Sequence, residues 1–307
     1  MVLKPDPAPG GTTPPDAMPA DGTLVLGCDV GGTKVHSILA TATGRVLAEF
    51  SEPTASHDAE ALLAQIARHR DRLALGRQAR IAAAGIGLPG AVHPQSGVLT
   101  DAPHLPDLGD RDLRQCMAAR LGLPVRIGND VSLAALGEAW LGEGRGARSL
   151  AFLALGTGVG LGLIEDGRIL RGARGAAGEI GDLPIPGPGG AARLEDLVSS
   201  RALLADYRTR GGQTAGTLRD VFAAAGADPV LPGLLDALAG RLALALRAVI
   251  ALTDPERIVI GGGLGGRPEV FSRLAAALGP GPVLLPTALG PRAGALGAAR
   301  LALGCGS

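Results

Sequence analysis

Residues 125–138 read Val-Arg-Ile-Gly-Asn-Asp-Val-Ser-Leu-Ala-Ala-Leu-Gly-Glu. A short apolar run ends at Ile127, Gly128 interrupts it, and Val131, Leu133, Ala134, Ala135 and Leu136 then recur at helical spacing. The pattern predicts strand, tight turn and helix, with Asn129 and Asp130 at the junction. A carboxylate there has two roles open to it. It can cap the helix by accepting hydrogen bonds from unpaired first-turn N–H groups. It can also act as a general base at the mouth of a cleft, because open α/β sheets take ligands at the carboxyl ends of their strands.

The chain around this stretch has 307 residues, which predicts about two domains. Hydrophobic residues make up 46% and aromatics only 2%, so the cores must be built from Leu, Ala, Val and Ile. Formal net charge is zero, which implies no basic face and disfavours nucleic acid or an anionic membrane as partner. Cys28, Cys116 and Cys305 are far apart and odd in number, which fits a reducing cytoplasm better than a disulfide framework. The most apolar helix, Leu234 to Leu252, carries Asp236, Arg241 and Arg247 and reads as a buried helix, not a membrane span. The N-terminus lacks the apolar core of a signal peptide. Residues 1–22, rich in Pro, Gly, Asp and Thr, read as a disordered tail.

From Thr23 the chain reads βββαβαβ up to Asp130. Leu24 to Val30, Val35 to Thr41 and Arg45 to Phe50 form a meander, Ala59 to Leu75 a helix, and Ile81 to Gly87 a strand ended by Leu88-Pro89-Gly90. The first turn, Gly31-Gly32-Thr33-Lys34, follows an acid, Asp29. It reads either as an ordinary hairpin or as a nest of N–H groups for phosphate oxygens. Asp101 and His104 lie in a loop, as solvated turn residues or as candidate binding groups. Ser149 to Leu155, the turn Gly156-Thr157-Gly158 and Val159 to Ile164 repeat the opening strand–turn–strand. The repetition predicts a duplicated fold with two phosphate loops facing across a cleft. Residues 172–182 are mostly small and include Glu179 and Asp182, which marks closely packed or ligand-touching backbone. Pro184 to Gly190 reads as irregular, and a helix is expected near Arg193 with Glu195 in its first turn. Arg257 to Ile260 is a strand entering Gly261-Gly262-Gly263-Leu264, which suits close approach of a flat nucleotide group. Gly294 to Leu303 is a last helix that could pack back on the first half.

Six elements in this order resemble the ROK family of sugar kinases and sugar-responsive repressors. They are Asp29-Val-Gly-Gly-Thr-Lys34, Gly85-Ile-Gly-Leu-Pro-Gly90, Gly128-Asn-Asp130, Leu155-Gly-Thr-Gly-Val-Gly-Leu-Gly162, Gly175-Ala-Ala-Gly-Glu-Ile-Gly181 and Gly261-Gly-Gly263. The resemblance implies an α/β fold of two ribonuclease-H-like (actin-like ATPase) domains with mixed sheets flanking a cleft. The small N-terminal domain would span 23–128 plus 291–304, and the large C-terminal domain 129–290. It also implies ATP-dependent phosphorylation of a hexose at its primary (6-) hydroxyl, with Asp130 as general base, and this makes the cap-only reading of Asp130 the minor one. Gly90, Asp101, His104, Asn129, Asp130, Glu179, Asp182 and Glu195 would face the sugar. Asp29, Gly31, Gly32, Thr33, Lys34, Gly156, Thr157, Gly158, Gly262, Gly263 and Leu264 would serve ATP, with Asp29 near Mg2+ indirectly. A homodimer is implied as well.

The chain departs from the family in two places. The family's usual His stands at Asp182 here, and its zinc-binding cysteines at Pro186, Pro188 and Arg193, so no structural zinc site of the usual type can form there. Where the family commonly has Asn-Ala-Pro-Asn, this chain has Asp101-Ala-Pro-His104. The added acids Asp101 and Asp182 suggest an amino hexose (glucosamine or 3-amino-3-deoxyglucose, kanosamine) in place of glucose. The alternative is neutral drift with Asp182 bonded locally. A non-catalytic sugar sensor is the competing class, although residues 1–22 are too short and Pro/Gly-rich for a DNA-binding helix-turn-helix. An actin-like polymer subunit is disfavoured by the sugar-site residues.

Overall fold

The computed structural model describes residues 22–55, 58–76, 80–100, 105, 112–214, 216–224 and 228–306. Asp101, His104 and residues 1–21 of the predicted tail lie outside them.

The first half supplies β1 (Leu24–Val30), β2 (Lys34–Thr41), β3 (Val46–Pro53), α1 (Ala59–Ala74), β4 (Ile81–Leu88), β5 (Ala91–Val92), β6 (Leu99–Thr100), α2 (Leu113–Leu121), β7 (Val125–Asn129) and α3 (Asp130–Leu141). The second half supplies β8 (Ser149–Leu155), β9 (Val159–Glu165), β10 (Arg168–Ile169), β11 (Pro184–Gly187), β12 (Gly190–Arg193), α4 (Glu195–Val198), α5 (Ser200–Thr209), α6 (Leu218–Ala223), α7 (Leu231–Thr253), β13 (Arg257–Gly261), α8 (Gly262–Gly265), α9 (Pro268–Leu278), β14 (Val283–Pro286) and α10 (Ala293–Ala302). Two mixed five-stranded sheets result, ordered β3-β2-β1-β4-β7 and β10-β9-β8-β13-β14. In each, an antiparallel hairpin (β1–β2, β8–β9) is followed by parallel strands added beside its first member. The predicted duplication is therefore present as a repeated sheet topology.

Each sheet has its own aliphatic core, with α1 and α2 covering the first and α4 to α7 and α9 the second. Between them, α10 lies against α3 and against β1 and β4. Absent side chains permit this approach. A Cβ at Gly85 would stand 1.8 Å from the Ala298 carbonyl oxygen, and one at Gly297 1.6 Å from that of Leu133. Glu138 is fully buried at the far end of α3. It accepts from the N–H groups of Glu143 (2.9 Å) and Leu289 (3.0 Å) and from the Thr287 hydroxyl, tying α3 to the segment that leads into α10.

Two local expectations are corrected. Residues 184–193 are not irregular but pair as the hairpin β11–β12, with Gly187 opposite Gly190. Pro188 sits second in its turn and Gly189 follows at φ +83°, the residue preference of a tight turn with a left-handed third position. Arg193 ends β12, and the helix expected near it follows as α4 with Glu195 and Asp196 in its first turn. The stretch after Gly90 likewise carries a small ladder, β5–β6. Both hairpins are short and lack the alternating apolar pattern that marks a strand.

Candidate active site

Strand register levels the loops that meet in the cleft. Asp29 pairs with Gly87 and Leu88 with Asn129, so the turns after β1, β4 and β7 emerge side by side. In the second sheet Ala154 pairs with Gly261, which sets the turn after β8 beside Gly262. A cavity of about 870 Å³ lies between the two groups of turns, a size suited to small-molecule ligands.

Asn129 and Asp130 resolve the junction's two roles between them. Asn129 is the N-cap of α3: its side-chain oxygen accepts from the Ser132 N–H at 2.9 Å, and its amide donates to the Gly90 carbonyl at 3.1 Å. One amide N–H and one oxygen lone pair of Asn129 remain for a ligand. Asp130 is thereby released from capping and lines the cavity, with Oδ1 accepting from the Val131 N–H at 2.8 Å. Burial pushes its carboxyl up to about 6 against that hydrogen bond. Asp29 lies beneath, where a Cβ on Gly294 in the first turn of α10 would stand 2.6 Å from its Cγ. Burial, with the charge of Asp130 added, lifts Asp29 to about 7 against the opposing pull of Lys34.

The glycine turns present free donors. Among the described residues, the N–H groups of Gly32, Thr33, Thr157 and Gly158 donate to no protein acceptor, and all four residues line the cavity. Each turn is closed internally, Gly31 N–H to the Lys34 carbonyl and Gly156 N–H to the Gly158 carbonyl, both at 2.9 Å. The Gly156 carbonyl is turned away and held by Ser200 through its N–H (2.8 Å) and hydroxyl (2.7 Å). Unpaired N–H groups on turns that border one space are the ingredients of an anion nest.

Gly90, Glu179, Asp182 and Glu195 also line the cavity. Glu195, at the start of α4, accepts from the Val159 N–H at 3.2 Å and is fixed beside Gly158. Asp182 does not present a lone carboxylate. Arg193 donates to its Oδ1 from Nε at 2.9 Å and from Nη2 at 2.5 Å. Gly262 lines the cavity, while Asp29, Gly31, Lys34, Gly263 and Leu264 do not, and Leu264 packs in the core beneath the second sheet. From sequence, Arg193 was read only as the position of a lost zinc cysteine and not as a partner of Asp182, and Ser200 was not singled out. Ser199-Ser200 before a helical pattern was the available signal for the second, whereas only the hairpin reveals the first. Among the described residues, no three of His, Cys, Asp and Glu group closely enough to hold a metal ion, and no helix is long and apolar enough to cross a membrane.

The bifunctional enzyme NanE/NanK of Brucella melitensis is 38% identical over 287 residues, covering 91% of this chain and 54% of that protein. The chain thus spans about half the length of this relative. Among solved structures, the ROK hexokinase of Thermus thermophilus superposes with TM-score 0.79 at 32% identity, covering 91% of this chain and 98% of that one. A ROK family glucokinase of Streptomyces griseus, solved with glucose and AMPPNP, also gives TM-score 0.79, at 28% identity over 91% and 99% of the two chains. The family model described as ROK family matches residues 25–304, and the chain belongs to that family.

Proposed function

We propose that the chain is an ATP-dependent sugar kinase that transfers the γ-phosphoryl group to the primary (6-) hydroxyl of a hexose. The observation that carries this reading is the Asn129–Asp130 junction: a carboxylate freed from capping, held by one N–H, facing a cavity that two N–H nests share. Asp130 takes the proton as the sugar oxygen attacks the γ-phosphorus. The bond from phosphorus to the bridging oxygen breaks, and its electron pair leaves with ADP. A positioned base of this kind contributes roughly 10²–10⁴-fold, and positioning and charge stabilisation contribute the rest.

Gly32, Thr33, Thr157 and Gly158 would cradle phosphate oxygens, with Gly31 and Lys34 shaping the first turn, and the backbone of Gly262 to Leu264 would border the adenosine. Gly90, Asn129, Glu179 and Glu195 would orient sugar hydroxyls. Mg2+ suits the chemistry of this corner, because it binds through one or two carboxylates together with substrate phosphates. Asp29, lifted by burial beside Asp130, would hold the ion through water. The ion would neutralise charge on the transferring phosphoryl group. The same reading includes the division into 23–128 plus 291–304 and 129–290 and a homodimer, supported by the family resemblance, and residence in the cytoplasm, supported by the three free cysteines. Pairing of Asp182 with Arg193 favours a neutral glucose-like hexose over an amino hexose, since the acid that would read an ammonium is already compensated.

The test is ADP release against glucose, mannose, fructose, allose, their N-acetyl forms, glucosamine and 3-amino-3-deoxyglucose. Sugar-dependent turnover with a 6-phosphate product supports the reading. Sugar binding without turnover on any of them replaces it with a non-catalytic sensor. Fastest turnover on an amino hexose overturns the substrate preference alone.

A further inference from the structure

The family resemblance places its zinc-binding positions at Asp182, Pro186, Pro188 and Arg193. A structural zinc ion is held by thiolates and imidazoles. Proline has no side-chain donor for a metal, and a guanidinium is a permanent cation with no lone pair to give. Of these residues Asp182 alone can act as a ligand, and its Oδ1 already accepts from Arg193 Nε at 2.9 Å and Nη2 at 2.5 Å. The residues present therefore do not fit zinc, but two of them fit each other. The first and last positions, which one ion would bridge in the family, are joined here directly, anion to cation.

The pair lies where a tie bears on the cavity. Asp182 ends a 3-10 turn over Ile180–Asp182 that starts beside Glu179. Arg193 ends β12, and Glu195 opens α4 two residues on. All four of these charged residues line the cavity. The chain between the two ends is the β11–β12 hairpin, most of it exposed. Ile185 and Leu194 anchor it in the core, and Pro186 and Pro188 each fix one φ angle in its outer part. The 179–182 turn also runs close to Glu195, since a Cβ on Gly181 would stand 3.5 Å from the Glu195 Oε2. A shift of that turn against the end of β12 therefore changes the spacing of Glu179 and Glu195.

We propose that the Asp182–Arg193 pair takes the ordering role of the family's zinc, as a clamp that holds Glu179 and Glu195 at the spacing that sugar hydroxyls require. The proposal rests on the kinase reading for the identity of the ligand. Asp182 and Arg193 are positioning residues, which act through the two glutamates. Two donors on one carboxylate oxygen fix the direction of the guanidinium as well as its distance. Both side chains are more than half exposed, Asp182 at 67% and Arg193 at 56%, so water screens the pair and its effect is a few-fold change rather than an all-or-none one.

Isothermal titration of glucose and the other sugars of the panel into the full chain, the tightest binder then being carried into the variants, tests it. Arg193→Ala and Asp182→Ala are each expected to weaken sugar binding roughly fivefold, with the KM for ATP held within about twofold. The double variant is expected to lose no more than either single one, because the same interaction is gone in all three. The reversed pair, Asp182→Arg with Arg193→Asp, is expected to recover most of the affinity, and EDTA is expected to change nothing. Unchanged affinity in both single variants, losses that add, or sugar affinity that depends on zinc overturns the proposal. Failure of the reversed pair to recover affinity also overturns it, in favour of a direct sugar contact from Asp182. Sugar binding without turnover ends the kinase reading and leaves the clamp to stand on its affinities. Turnover with affinities that the variants do not move ends the clamp and leaves the kinase reading. Absence of binding by every sugar removes both.

Discussion

Replacing Gly297 by Ala tests how the two sheets are joined and how the catalytic junction is held. In an open helix the change stabilises, by about 1 kcal/mol, because Ala has the higher helix propensity. Here the new Cβ would lie 1.6 Å from the Leu133 carbonyl oxygen and 3.0 Å from the Gly137 nitrogen, both backbone atoms of α3. Reaching a tolerable 3.0 Å requires α10 and α3 to part by about 1.4 Å. A gap of ~0.5–1 Å already forfeits a quarter to a half of the dispersion energy of the contacts it opens. Overpacking of this kind costs up to ~3 kcal/mol, so the net change is a loss of about 2 kcal/mol. Leu133 lies one turn from Asp130, so the same displacement moves the proposed base, and a ~1 Å misplacement costs ~10² in rate. Urea unfolding reads the stability and ADP release the rate. Gly240→Ala in α7, where a Cβ meets nothing within 4 Å, is the control expected to stabilise by up to ~1 kcal/mol. A Gly297→Ala midpoint equal to or above that of the wild type would refute the reasoning.

Further outcomes follow from the buried acids. Asp130 works ionised and is pushed up to about 6, so kcat/KM falls tenfold per pH unit below about 6 and is level above 7; a level profile down to pH 5 contradicts this. Asp29, lifted to about 7, binds its proton more tightly in the folded chain than in the unfolded one, so ionising it costs stability as pH rises. Asp29→Asn is therefore expected to raise the unfolding free energy at pH 8 by as much as about 4 kcal/mol, the gain vanishing toward pH 4; an equal gain at both pH values would rule out charge as the cause. Glu138→Gln sets an amide donor against at least one of the donors that Glu138 now accepts, and is expected to cost about 2 kcal/mol in urea unfolding. An unchanged midpoint would mean that the tie between α3 and the segment before α10 is not structural.

Much of the architecture was legible because its signals are local. Apolar runs ended by Gly-Gly-Thr and Gly-Thr-Gly announce two copies of one strand–turn–strand, and both sheets form as that repetition predicts. The Asn129–Asp130 junction was legible in kind but not in allocation. Two adjacent cap-competent side chains look alike in sequence, and only the backbone conformation at Asn129 assigns the cap to it. The β11–β12 hairpin was missed because it is short, largely exposed and rich in Pro and Gly, with Pro184 opposite Arg193. Asp182 stayed open between an ammonium-reading acid and one bonded locally, because its partner Arg193 lies eleven residues away across that turn. The last helix was expected to pack back on the first half, and α10 does lie against β1 and β4; only the tightness of that approach was hidden, since glycines at 85 and 297 carry no sign in sequence of what they lie against.

The most direct test of the central claim pairs sugar affinity with the single-turnover rate of phosphoryl transfer for Asp130→Asn, using the best sugar of the panel. The account predicts a rate lower by roughly 10²–10⁴-fold with sugar affinity within about threefold of wild type, because Asn keeps the size of the side chain and Gly90, Asn129, Glu179 and Glu195 are untouched. A transfer rate near that of the wild type would remove Asp130 as the base and leave its carboxylate no more than a structural group beside the cap.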